Sequence, residues 1–421
     1  MKTMRHLLIF FGALLVLASC SKDEPAATPT PSSAERTVVV YMSGENDINS
    51  FVQGDIDEMI AGRRLVSSNV QLVLFVDLAG KAPFLARVTT DTRQPLDTLY
   101  KYEQDFYATD PDAMRDVLER ATTLCPATRD YGLVLWGHAA GWTIENDSVA
   151  TSRRAYGRDS GDNTASATKG KWLNIPSLRK ALSMTGKHWK FIFCDCCNMQ
   201  SVEVAYELRG ATDYLIASPA EITGKGAPYD TMVKDFFLTD DAAMCRMICD
   251  DYYAQTTHEM GRGDEHLPIS AIATSQLPAL ASATRQILPA VDSYLRTTAN
   301  ATDALVYYSS YRIDPTMRYS AKEKIMFDML NVVRTALADQ PEQYQTWLAA
   351  FDRAVPYRLT SGLWHANWII SFSSFSVTPD NSGCVSMFFP LERYADAPNK
   401  YNENIRKLAW YYAVGWSDVG W

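Results

Sequence analysis

The sequence has 421 residues, and its 47% hydrophobic content can bury the core of one large domain with an extension, or of two domains. The formal net charge is −9, from 40 basic and 49 acidic residues, and no basic patch argues for a nucleic-acid-binding protein. Seven of the eight cysteines follow Cys20, so at least one thiol of that set stays unpaired within a monomer.

The amino terminus has the pattern of an export signal. Lys2 and Arg5 precede the apolar run Leu7–Leu17, which is shorter than the roughly 20 residues that a membrane-spanning helix needs. The run ends in Leu17-Ala-Ser-Cys20, which resembles a bacterial lipobox, so we expect cleavage before Cys20 and lipidation of that residue. An ordinary signal peptide with an incidental cysteine is the alternative.

The residues after Cys20 predict where such a protein is delivered. Ser21-Lys-Asp-Glu24 is similar to the signals that send lipoproteins of Bacteroidetes-type bacteria to the outer face of the outer membrane. We therefore expect an outer-membrane lipoprotein exposed at the cell surface, with a periplasm-facing protein as the second choice. Pro25–Ser33, rich in Pro, Ala, Thr and Ser, predicts a flexible tether. This divides the amino terminus into a signal peptide over 1–19 and a lipidated tether over 20–35.

From residue 36 onward, strand and helix patterns alternate, which predicts a mainly parallel sheet with helices on both faces. The predicted strands are at about Thr37–Met42, Val70–Val76, Phe84–Thr90, Tyr131–Trp136, Lys190–Asp195, Tyr214–Ser218 and Ile269–Thr274. The predicted helices are near Ile48–Arg63, Asp110–Leu124, Ile175–Met184, Met199–Leu208 and Asp240–Thr256.

After Gln276 the pattern becomes largely helical. It includes predicted helices at Leu280–Leu295 and Ala321–Ala338, then two late strands, Trp368–Phe375 and Cys384–Phe389, that we expect to return to the sheet. The organisation is therefore a first domain over 36–275 and a helical extension over 276–421.

Two of the predicted strands end in side chains that can support nucleophilic catalysis. Leu133-Val-Leu-Trp-Gly-His138 ends in a histidine, and Phe191-Ile-Phe-Cys-Asp-Cys-Cys-Asn-Met199 runs into an acid and adjacent thiols. The carboxyl ends of parallel neighbours share one edge of a sheet, so both side chains are expected at one crevice. An imidazole that favours a thiolate, with backbone N–H groups facing an oxyanion, suffices for a cysteine peptidase.

Six motifs resemble those of the clostripain-like cysteine peptidases, peptidase family C11, and occur in the family's order. They are Tyr41-Met-Ser-Gly-Glu-Asn-Asp47, Trp136-Gly-His-Ala-Ala-Gly-Trp142, Asp195-Cys-Cys-Asn-Met199, Glu203-Val-Ala-Tyr-Glu-Leu-Arg209, Ala217-Ser-Pro-Ala-Glu221 and Ser386-Met-Phe-Phe-Pro390. The resemblance implies an α/β caspase-like sandwich, with a mainly parallel central sheet flanked by helices and a largely helical C-terminal extension.

The same resemblance assigns roles in the site. It implies that His138 is the catalytic histidine and Cys197 the nucleophile, with Cys196 as the neighbouring alternative, and that the backbone N–H groups of Ala139 and Cys197 form the oxyanion hole. Asp195 shares a strand face with Cys197 because successive side chains alternate. In the family this position forms part of a pocket for a basic side chain.

A carboxylate at a pocket floor selects Arg or Lys, because an entering cation offsets the burial of the negative charge. Glu221, after the strand Tyr214–Ser218, is the predicted second charge or wall of that pocket. A purely structural, hydrogen-bonding role is the alternative for Asp195.

Between the two reactive strands lies the polar segment Ser148–Lys171. Members of the resembled family often activate themselves by cleavage after a basic residue in this region. Arg153 and Arg154 are the predicted cleavage sites, ahead of Arg158, Lys169 and Lys171. An uncleaved, solvated loop is the alternative.

The sequence thus predicts an endopeptidase that cleaves after Arg, or second Lys, through an acyl-enzyme. Its expected partners are peptides and proteins with basic residues, and we expect a monomer. No cofactor is required by the resemblance, although calcium supports activity in some relatives. No metal ligand set is predicted: Cys245 and Cys249 lack a second Cys/His pair at ligand spacing.

Two alternatives to this activity remain open. A catalytically silent relative could keep the cleft as a peptide-binding module, and Ala139 and Asn198 favour this because they replace the family's usual residues. An asparaginyl or acid-directed peptidase is the other alternative, against which Asp195 argues.

Overall fold

The structure is a computed structural model, which describes residues 33–66, 69–144, 155–161, 164–166, 170–255, 266–312, 322–365, 372–374, 376–395 and 400–421. The predicted lipidation site Cys20 and the predicted cleavage sites Arg153, Arg154 and Lys169 lie outside these residues, as do the signal peptide and nearly all of the tether. Among the helices of the described part, none combines the length and the apolar composition that crossing a membrane requires.

The strands and helices alternate along the first two thirds of the chain. The strands are β1 (Ala34–Gly44), β2 (Val70–Leu78), β3 (Lys81–Val88), β4 (Leu96–Lys101), β5 (Ala127–Trp136), β6 (Tyr156–Asp159), β7 (Lys171–Leu173), β8 (Trp189–Asp195), β9 (Thr212–Ala217), β10 (Ile269–Ala273), β11 (Tyr307–Arg312), β12 (Lys322–Asp328), β13 (Tyr357–Leu359), β14 (Leu363–His365), β15 (Phe372–Ser374) and β16 (Ser386–Met387). The helices are α1 (Val52–Arg63), α2 (Pro111–Leu124), α3 (Ile175–Met184), α4 (Val202–Leu208), α5 (Tyr229–Met232), α6 (Asp241–Ala254), α7 (Leu277–Thr297), α8 (Met329–Ala336), α9 (Pro341–Ala354), α10 (Tyr401–Asn404) and α11 (Ala409–Val414).

A nine-stranded sheet organises the fold, with strand order β13-β10-β9-β8-β5-β1-β2-β3-β4. The five central strands, from β9 to β2, are parallel, whereas the two strands added at each edge are antiparallel. From β1 the chain builds outward to β2 on one side and to β5, β8 and β9 on the other. The order therefore reverses between β1 and β5, which in open α/β sheets is where the ligand crevice opens at the carboxyl ends of the strands.

Helices cover both faces of the sheet because the central strands are apolar on both sides. In β1, Val38, Val40 and Met42 face one buried cluster, and Val39 and Tyr41 face the other. Helices α1, α5 and α6 pack on the first face, whereas α2, α3, α4 and α7 pack on the second. The predicted α/β class, with a parallel centre flanked by helices, is confirmed.

The C-terminal third shares a core with the rest of the chain. The larger hydrophobic cluster runs from residues of β1 and β5 to Trp347 and Trp416 without a break. Polar contacts also join the two parts: the Phe388 N–H donates to buried Glu203 Oε1 over 2.8 Å, and Asn404 Nδ2 donates to the Ile144 carbonyl over 2.6 Å. The described residues after 276 therefore cover one face of the sheet and add its edge strand β13.

Two predictions for this third were wrong in detail. Ala321–Ala338 was predicted as one helix, but the described part begins as strand β12, which pairs with β11, and becomes helix α8 only after Asp328 caps it. Pairing with a neighbouring strand outweighs the helix propensity of Lys, Glu and Met. The strand that joins the nine-stranded sheet is β13, whereas β16, inside the predicted strand Cys384–Phe389, pairs with β12 in a separate small sheet.

Candidate active site

Three neighbouring parallel strands deliver the polar side chains of the site to one edge. Trp136 at the end of β5 pairs with Asp195 at the end of β8, so His138 and Cys197 lie two residues beyond the same register position. On the other side of β5, Met42 of β1 pairs with Trp136, and Asp47 follows shortly after. The structure thus brings the two predicted reactive residues to the point where the strand order reverses.

His138 is held by an acid that the sequence analysis did not identify. Its Nε2 lies 2.7 Å from Asp47 Oδ1, and about a quarter of its side chain is exposed. Arg158 of β6 donates to the same Asp47 oxygen, and its guanidinium lies 5.9 Å from the Trp172 ring centroid. The sequence predicts two reactive side chains, His138 and Cys197. In the structure a third side chain, Asp47, contacts His138.

The charge on Asp47 determines which nitrogen of His138 carries the proton. Burial alone would raise the pKa of Asp47, but the hydrogen bond with His138 and the charges of His138 and Arg158 hold that pKa below its usual range. Asp47 is therefore ionised at neutral pH and accepts a hydrogen bond from the Nε2–H of His138. In the neutral imidazole, Nδ1 is then the basic nitrogen.

The adjacent thiols of the predicted nucleophile differ in their surroundings. Among the seven cysteines in the described residues, Cys197 is the one that is not fully buried. Its Sγ receives the Ile222 N–H at 3.4 Å. Cys196 points into the core, where its Sγ lies 3.6 Å from the Leu135 carbonyl, and burial raises its pKa well above the usual value. Access therefore favours Cys197 as the nucleophile, and the raised pKa of Cys196 disfavours that thiol.

The loop after His138 leaves one backbone donor, the N–H of Ala139, without a hydrogen bond to β6. Ala140 N donates to Ala155 O at 3.0 Å, and Gly157 N donates to His138 O at 2.7 Å. Ala139 lies between these two hydrogen-bonded residues and opposite Tyr156 of β6. At such a position of an antiparallel pair, the N–H points away from the partner strand. Ala139 does not adopt a positive φ, so this position does not need a glycine.

Asn198, the other departure from the family's usual residues, has a structural explanation. Its φ is 60°, in the left-handed region that Asn tolerates better than most residues. Its backbone N–H donates to Ala220 O at 2.9 Å, and its Nδ2 donates to Pro219 O at 3.0 Å. Gly141 approaches it closely, because a Cβ there would lie 2.5 Å from Asn198 O. Asn198 therefore shapes the turn that carries Cys197.

Asp195 lies on the opposite face of β8 from Cys196 and is only 2% exposed. Its Oδ2 accepts from Ala227 N at 3.1 Å and from the Tyr229 hydroxyl at 2.8 Å, whereas Oδ1 accepts no hydrogen bond from any described residue. Gly226 passes so close that a Cβ would lie 2.8 Å from Oδ2. Burial raises the pKa of Asp195 to about 6, although the Ala227 and Tyr229 hydrogen bonds oppose that rise.

A second acid, Asp55 of α1, lies near Asp195 and was not predicted. Its Oδ2 accepts a hydrogen bond from Trp136 Nε1. Burial, and next the negative charge of Asp195, raise the pKa of Asp55 to about 8. At pH 7 the pair therefore holds one negative charge, mainly on Asp195. The sequence did not distinguish Asp55 from the other acids of α1. Asp55 is buried in the structure, whereas those other acids are exposed or half-buried.

Glu221 is placed beside the thiol by its neighbours in the chain. Ala220 O accepts from Asn198, and Ile222 N donates to Cys197 Sγ. The Glu221 side chain itself is buried. The loop after β9 thus contacts the turn that carries Cys197, and the same loop and the start of α5 supply Ala227 and Tyr229, which donate hydrogen bonds to Asp195.

The basic residues of the polar segment that the structure describes are already engaged. Arg158 is buried against Asp47 and also donates to Ser166 O at 2.9 Å. Lys171 begins β7, with its Nζ 3.6 Å from Asp110 Oδ2. Both residues lie in the paired strands β6 and β7, whereas exposed loop tips are the preferred sites of cleavage.

Glu45, Asp77 and Asp105 form the group of side chains in the described residues that could hold a metal ion. No sequence motif indicates this group, because the three acids are far apart in the chain.

Comparisons with known proteins extend these observations. A family model described as the Clostripain family, peptidase C11, matches residues 40–421. The chain is similar to a secreted C11 cysteine protease from Bacteroides thetaiotaomicron, solved in complex with an irreversible peptide inhibitor, with a TM-score of 0.73 and 28% identity over 91% of this chain and 100% of that chain. No curated protein matches the sequence significantly.

Two further solved structures share the fold at lower identity. One is an inactive zymogen C11 protease from Parabacteroides distasonis, with a TM-score of 0.70 and 24% identity over 91% of this chain and 99% of that chain. The other is a secreted C11 cysteine protease from Bacteroides thetaiotaomicron called iotapain, with a TM-score of 0.70 and 19% identity over 91% and 100% of the two chains.

Proposed function

The chain belongs to the clostripain family of C11 cysteine peptidases, and within that activity we propose an endopeptidase that cleaves after Arg, or second Lys, by a dyad of Cys197 and His138. The observation that carries this proposal is the convergence of Asp47, His138 and the accessible thiol Cys197 at the ends of three adjacent parallel strands. The 28% identical relative supports a peptide substrate, because it was solved with an irreversible peptide inhibitor.

The proposed reaction divides hydrolysis into two steps. Nδ1 of His138 accepts the Cys197 thiol proton, while Asp47 holds the Nε2–H and so fixes the ring. The thiolate attacks the scissile carbonyl, and the backbone N–H groups of Ala139 and Cys197 stabilise the oxyanion. The imidazolium then donates its proton to the leaving amine. Water, deprotonated by the same imidazole, hydrolyses the acyl-enzyme and releases the carboxylate and the thiol.

The preference for Arg rests on Asp195. Its Oδ1 has no donor among the described residues, so a guanidinium can supply the missing hydrogen bonds without displacing a partner. Burial and the negative charge of Asp195 raise the pKa of Asp55. A bound cation would offset the repulsion between these two acids. Glu221 is proposed as a wall of the same pocket. A neutral side chain would leave the Asp195 charge buried and unpaired, which costs several kcal/mol.

Activation by self-cleavage is proposed for the segment between β5 and β6, after Arg153 or Arg154. The flanking chain supports this proposal, because residues on both sides of the segment are held independently of it. Tyr156 donates its hydroxyl to Tyr41 O at 3.1 Å and to Trp136 O at 3.2 Å, in addition to the backbone bonds of Ala155 and Gly157. A cut would therefore leave β6 in place.

Attachment to the outer membrane through lipid on Cys20 is proposed for the mature protein, exposed at the cell surface. The basic residues Lys2 and Arg5, the short apolar run and the sequence ending in Cys20 support export and lipidation. The relative from Bacteroides thetaiotaomicron is described as secreted, which agrees with export of this chain.

The nucleophile can be tested with a pair of neighbouring variants. We expect Cys197→Ala to abolish hydrolysis of an arginyl fluorogenic peptide and labelling by an arginyl chloromethyl ketone. Cys196→Ala, the matched control, should keep substantial activity because that thiol faces the core. An inactive Cys196→Ala protein together with an active Cys197→Ala protein would identify Cys196 as the nucleophile. Full activity of both variants would show that neither thiol is the nucleophile.

The specificity pocket predicts a pH dependence. As the pH falls through about 6, Asp195 becomes protonated and loses its charge, so the ratio of kcat/KM for Arg over a neutral residue should fall from its value at pH 7.5. We expect a fall of roughly 10 to 150-fold, from ~1.5–3 kcal/mol for a charged hydrogen bond. Using the ratio cancels the titration of Cys197 and His138.

Asp195→Asn is the control for this measurement, because it keeps the shape and removes the charge. Its ratio should be low and independent of pH. An Asp195→Asn protein that still discriminates Arg from neutral residues as well as the wild type would contradict the Asp195 pocket.

Self-cleavage predicts two fragments, of about a third and about two thirds of the chain, on denaturing gels of purified wild-type protein. The Cys197→Ala protein should remain intact, because it lacks the nucleophile. Amino-terminal sequencing of the larger fragment should place the cut after Arg153 or Arg154. A fully active single chain would rule out activation by cleavage while leaving the peptidase assignment unchanged.

Lipidation predicts that mass spectrometry of the native amino terminus finds acyl chains on Cys20. Cys20→Ser should yield protein without lipid that no longer sediments with membranes, because the modified thiol is gone. Mature protein that begins at another residue and carries no lipid would refute the anchor.

A further inference from the structure

A second buried acid, Asp55, lies beside the proposed substrate pocket. It belongs to α1 and is only 4% exposed. Trp136 of β5, the residue that pairs with Asp195 of β8, donates its Nε1–H to Asp55 Oδ2 at 2.5 Å. The carboxyl group of Asp55 therefore contacts the side chain that stands next to Asp195 in the sheet.

The side chains of Asp195 and Trp136 point to the face of the sheet that α1 covers. Trp136 belongs to the hydrophobic cluster on that face, and so does Phe193 of β8. Asp195, two residues after Phe193, points the same way because side chains alternate along a strand. Tyr229 of α5 joins the two sides, since its hydroxyl donates to Asp195 Oδ2 and its N–H donates to Glu58 Oε2 of α1. Helices α1 and α5 thus enclose both acids.

The described part of the protein supplies no positive charge for these two acids. None of its Lys, Arg or His side chains pairs with Asp55 or Asp195 or contributes to the pKa of either. Asp195 Oδ1 is also buried without a hydrogen bond from any described residue. Two ionised carboxylates in such a place repel each other and lose their hydration, which destabilises the empty pocket. The pair therefore needs either a proton on one acid or a cation from outside the protein.

We propose that Asp55 is a second specificity-determining acid of the substrate pocket, so that a basic side chain held by Asp195 is bound by the charge of both acids. This inference rests on the proposed function, because it takes Asp195 as the group that contacts the substrate. In the empty pocket, Asp55 keeps its proton and Asp195 carries the one negative charge. When the guanidinium of a substrate arginine reaches Asp195, Asp55 releases its proton to the solvent and becomes the second negative charge.

The order in which the two acids ionise supports this exchange. Burial, and next the negative charge of Asp195, raise the pKa of Asp55 to about 8, whereas burial raises the pKa of Asp195 to about 6. A cation at Asp195 cancels the repulsive charge and favours a second one, so it lowers the pKa of Asp55. A neutral side chain changes neither charge and leaves the proton on Asp55.

Other titratable groups face the two acids from α1, α5, α6 and the turn after β8. Burial raises the pKa values of Tyr229, Tyr252 and Cys196 well above their usual ranges, so these three groups stay neutral up to about pH 9. Glu58 of α1 is half-buried, and its charge raises the pKa of both acids. A variant of Glu58 is therefore needed to separate its contribution from that of Asp55.

A purely structural role is the competing explanation, in which Asp55 only accepts the hydrogen bond from Trp136. Asp55→Asn distinguishes the two explanations. Its amide oxygen still accepts from Trp136 Nε1, but the amide cannot ionise. The variant also resembles the protonated form of Asp55, so we expect it to fold like the wild type.

The first test compares two fluorogenic peptides with either arginine or citrulline, its uncharged analogue, before the scissile bond. The ratio of their kcat/KM values cancels the titration of Cys197 and His138, which cleave both peptides. Because Asp55 ionises as the pH rises through about 8, and its ionised form binds a cation more tightly, the wild-type ratio should rise with pH. We expect a rise of roughly 5- to 10-fold between about pH 7 and pH 9, with a plateau at the upper end.

Asp55→Asn should abolish this rise. Asp57→Asn is the matched control, because Asp57 is an exposed acid of the same helix and the variant loses the same charge. Glu58→Gln is the control for the neighbouring half-buried acid, and both controls should keep the rise. A ratio that does not rise in the wild type, or that rises equally in Asp55→Asn, would overturn the role of Asp55.

Proton release gives a second readout, which does not depend on turnover. The full chain carrying Cys197→Ala is titrated with the arginyl peptide in a calorimeter at about pH 7.5, in buffers of different ionisation enthalpy. We expect Asp55→Asn in this background to release about half to three quarters of a proton less per bound peptide, the fraction of Asp55 that is protonated in the empty pocket.

The outcomes separate this inference from the proposed function. Equal proton release with and without Asp55→Asn would overturn the role of Asp55, whereas preferential cleavage of the arginyl peptide would leave the proposed function standing. A wild-type protein that neither binds nor cleaves the arginyl peptide in preference to the citrulline peptide would overturn both.

Discussion

Hydrogen bonding of β5 to β1 on one side and to β8 on the other determines where the reactive groups meet. The register puts Met42, Trp136 and Asp195 side by side, and each strand then continues into its own loop. A slip of one residue in β8 would turn Asp195 and Cys197 to the opposite face and bring Cys194 and Cys196 toward the crevice. Both faces of these strands are buried by helices, which holds the register and therefore the site.

The sequence predicted the parts of this arrangement that depend on local pattern. The apolar runs located β1, β5 and β8, and the residues that follow two of them, His138 and Cys197, were identified because they come directly after the strands. Asp47 was missed because it follows its strand by three residues, in a loop, and meets His138 only through a contact that spans 91 positions in the chain. Strand β12 was missed because its pairing with β11 is non-local and its residues favour helices.

The adjacent thiols show which information the sequence lacked. Strand alternation assigned Cys196 and Cys197 to opposite faces, yet it could not tell which face would remain accessible. In the structure Cys196 is buried in the large hydrophobic cluster that includes the C-terminal third, whereas Cys197, which contacts Ile222 in the loop after β9, stays partly accessible. The packing of residues far along the chain thus makes one of two neighbouring thiols buried and the other accessible.

Two groups of buried acids flank the site, and they differ in how their charge is compensated. Asp195 receives two hydrogen bonds and its neighbour Asp55 receives one from Trp136, so that pair can remain partly ionised without an ion. Asp77 receives none from the described residues, although it stands among three other carboxyl groups. A pocket that binds a substrate cation reversibly needs some hydrogen bonds to its carboxylate, because a buried charge with no partner would destabilise the empty enzyme. The two donors that Asp195 retains therefore suit the reversible binding of a substrate cation that is proposed for it.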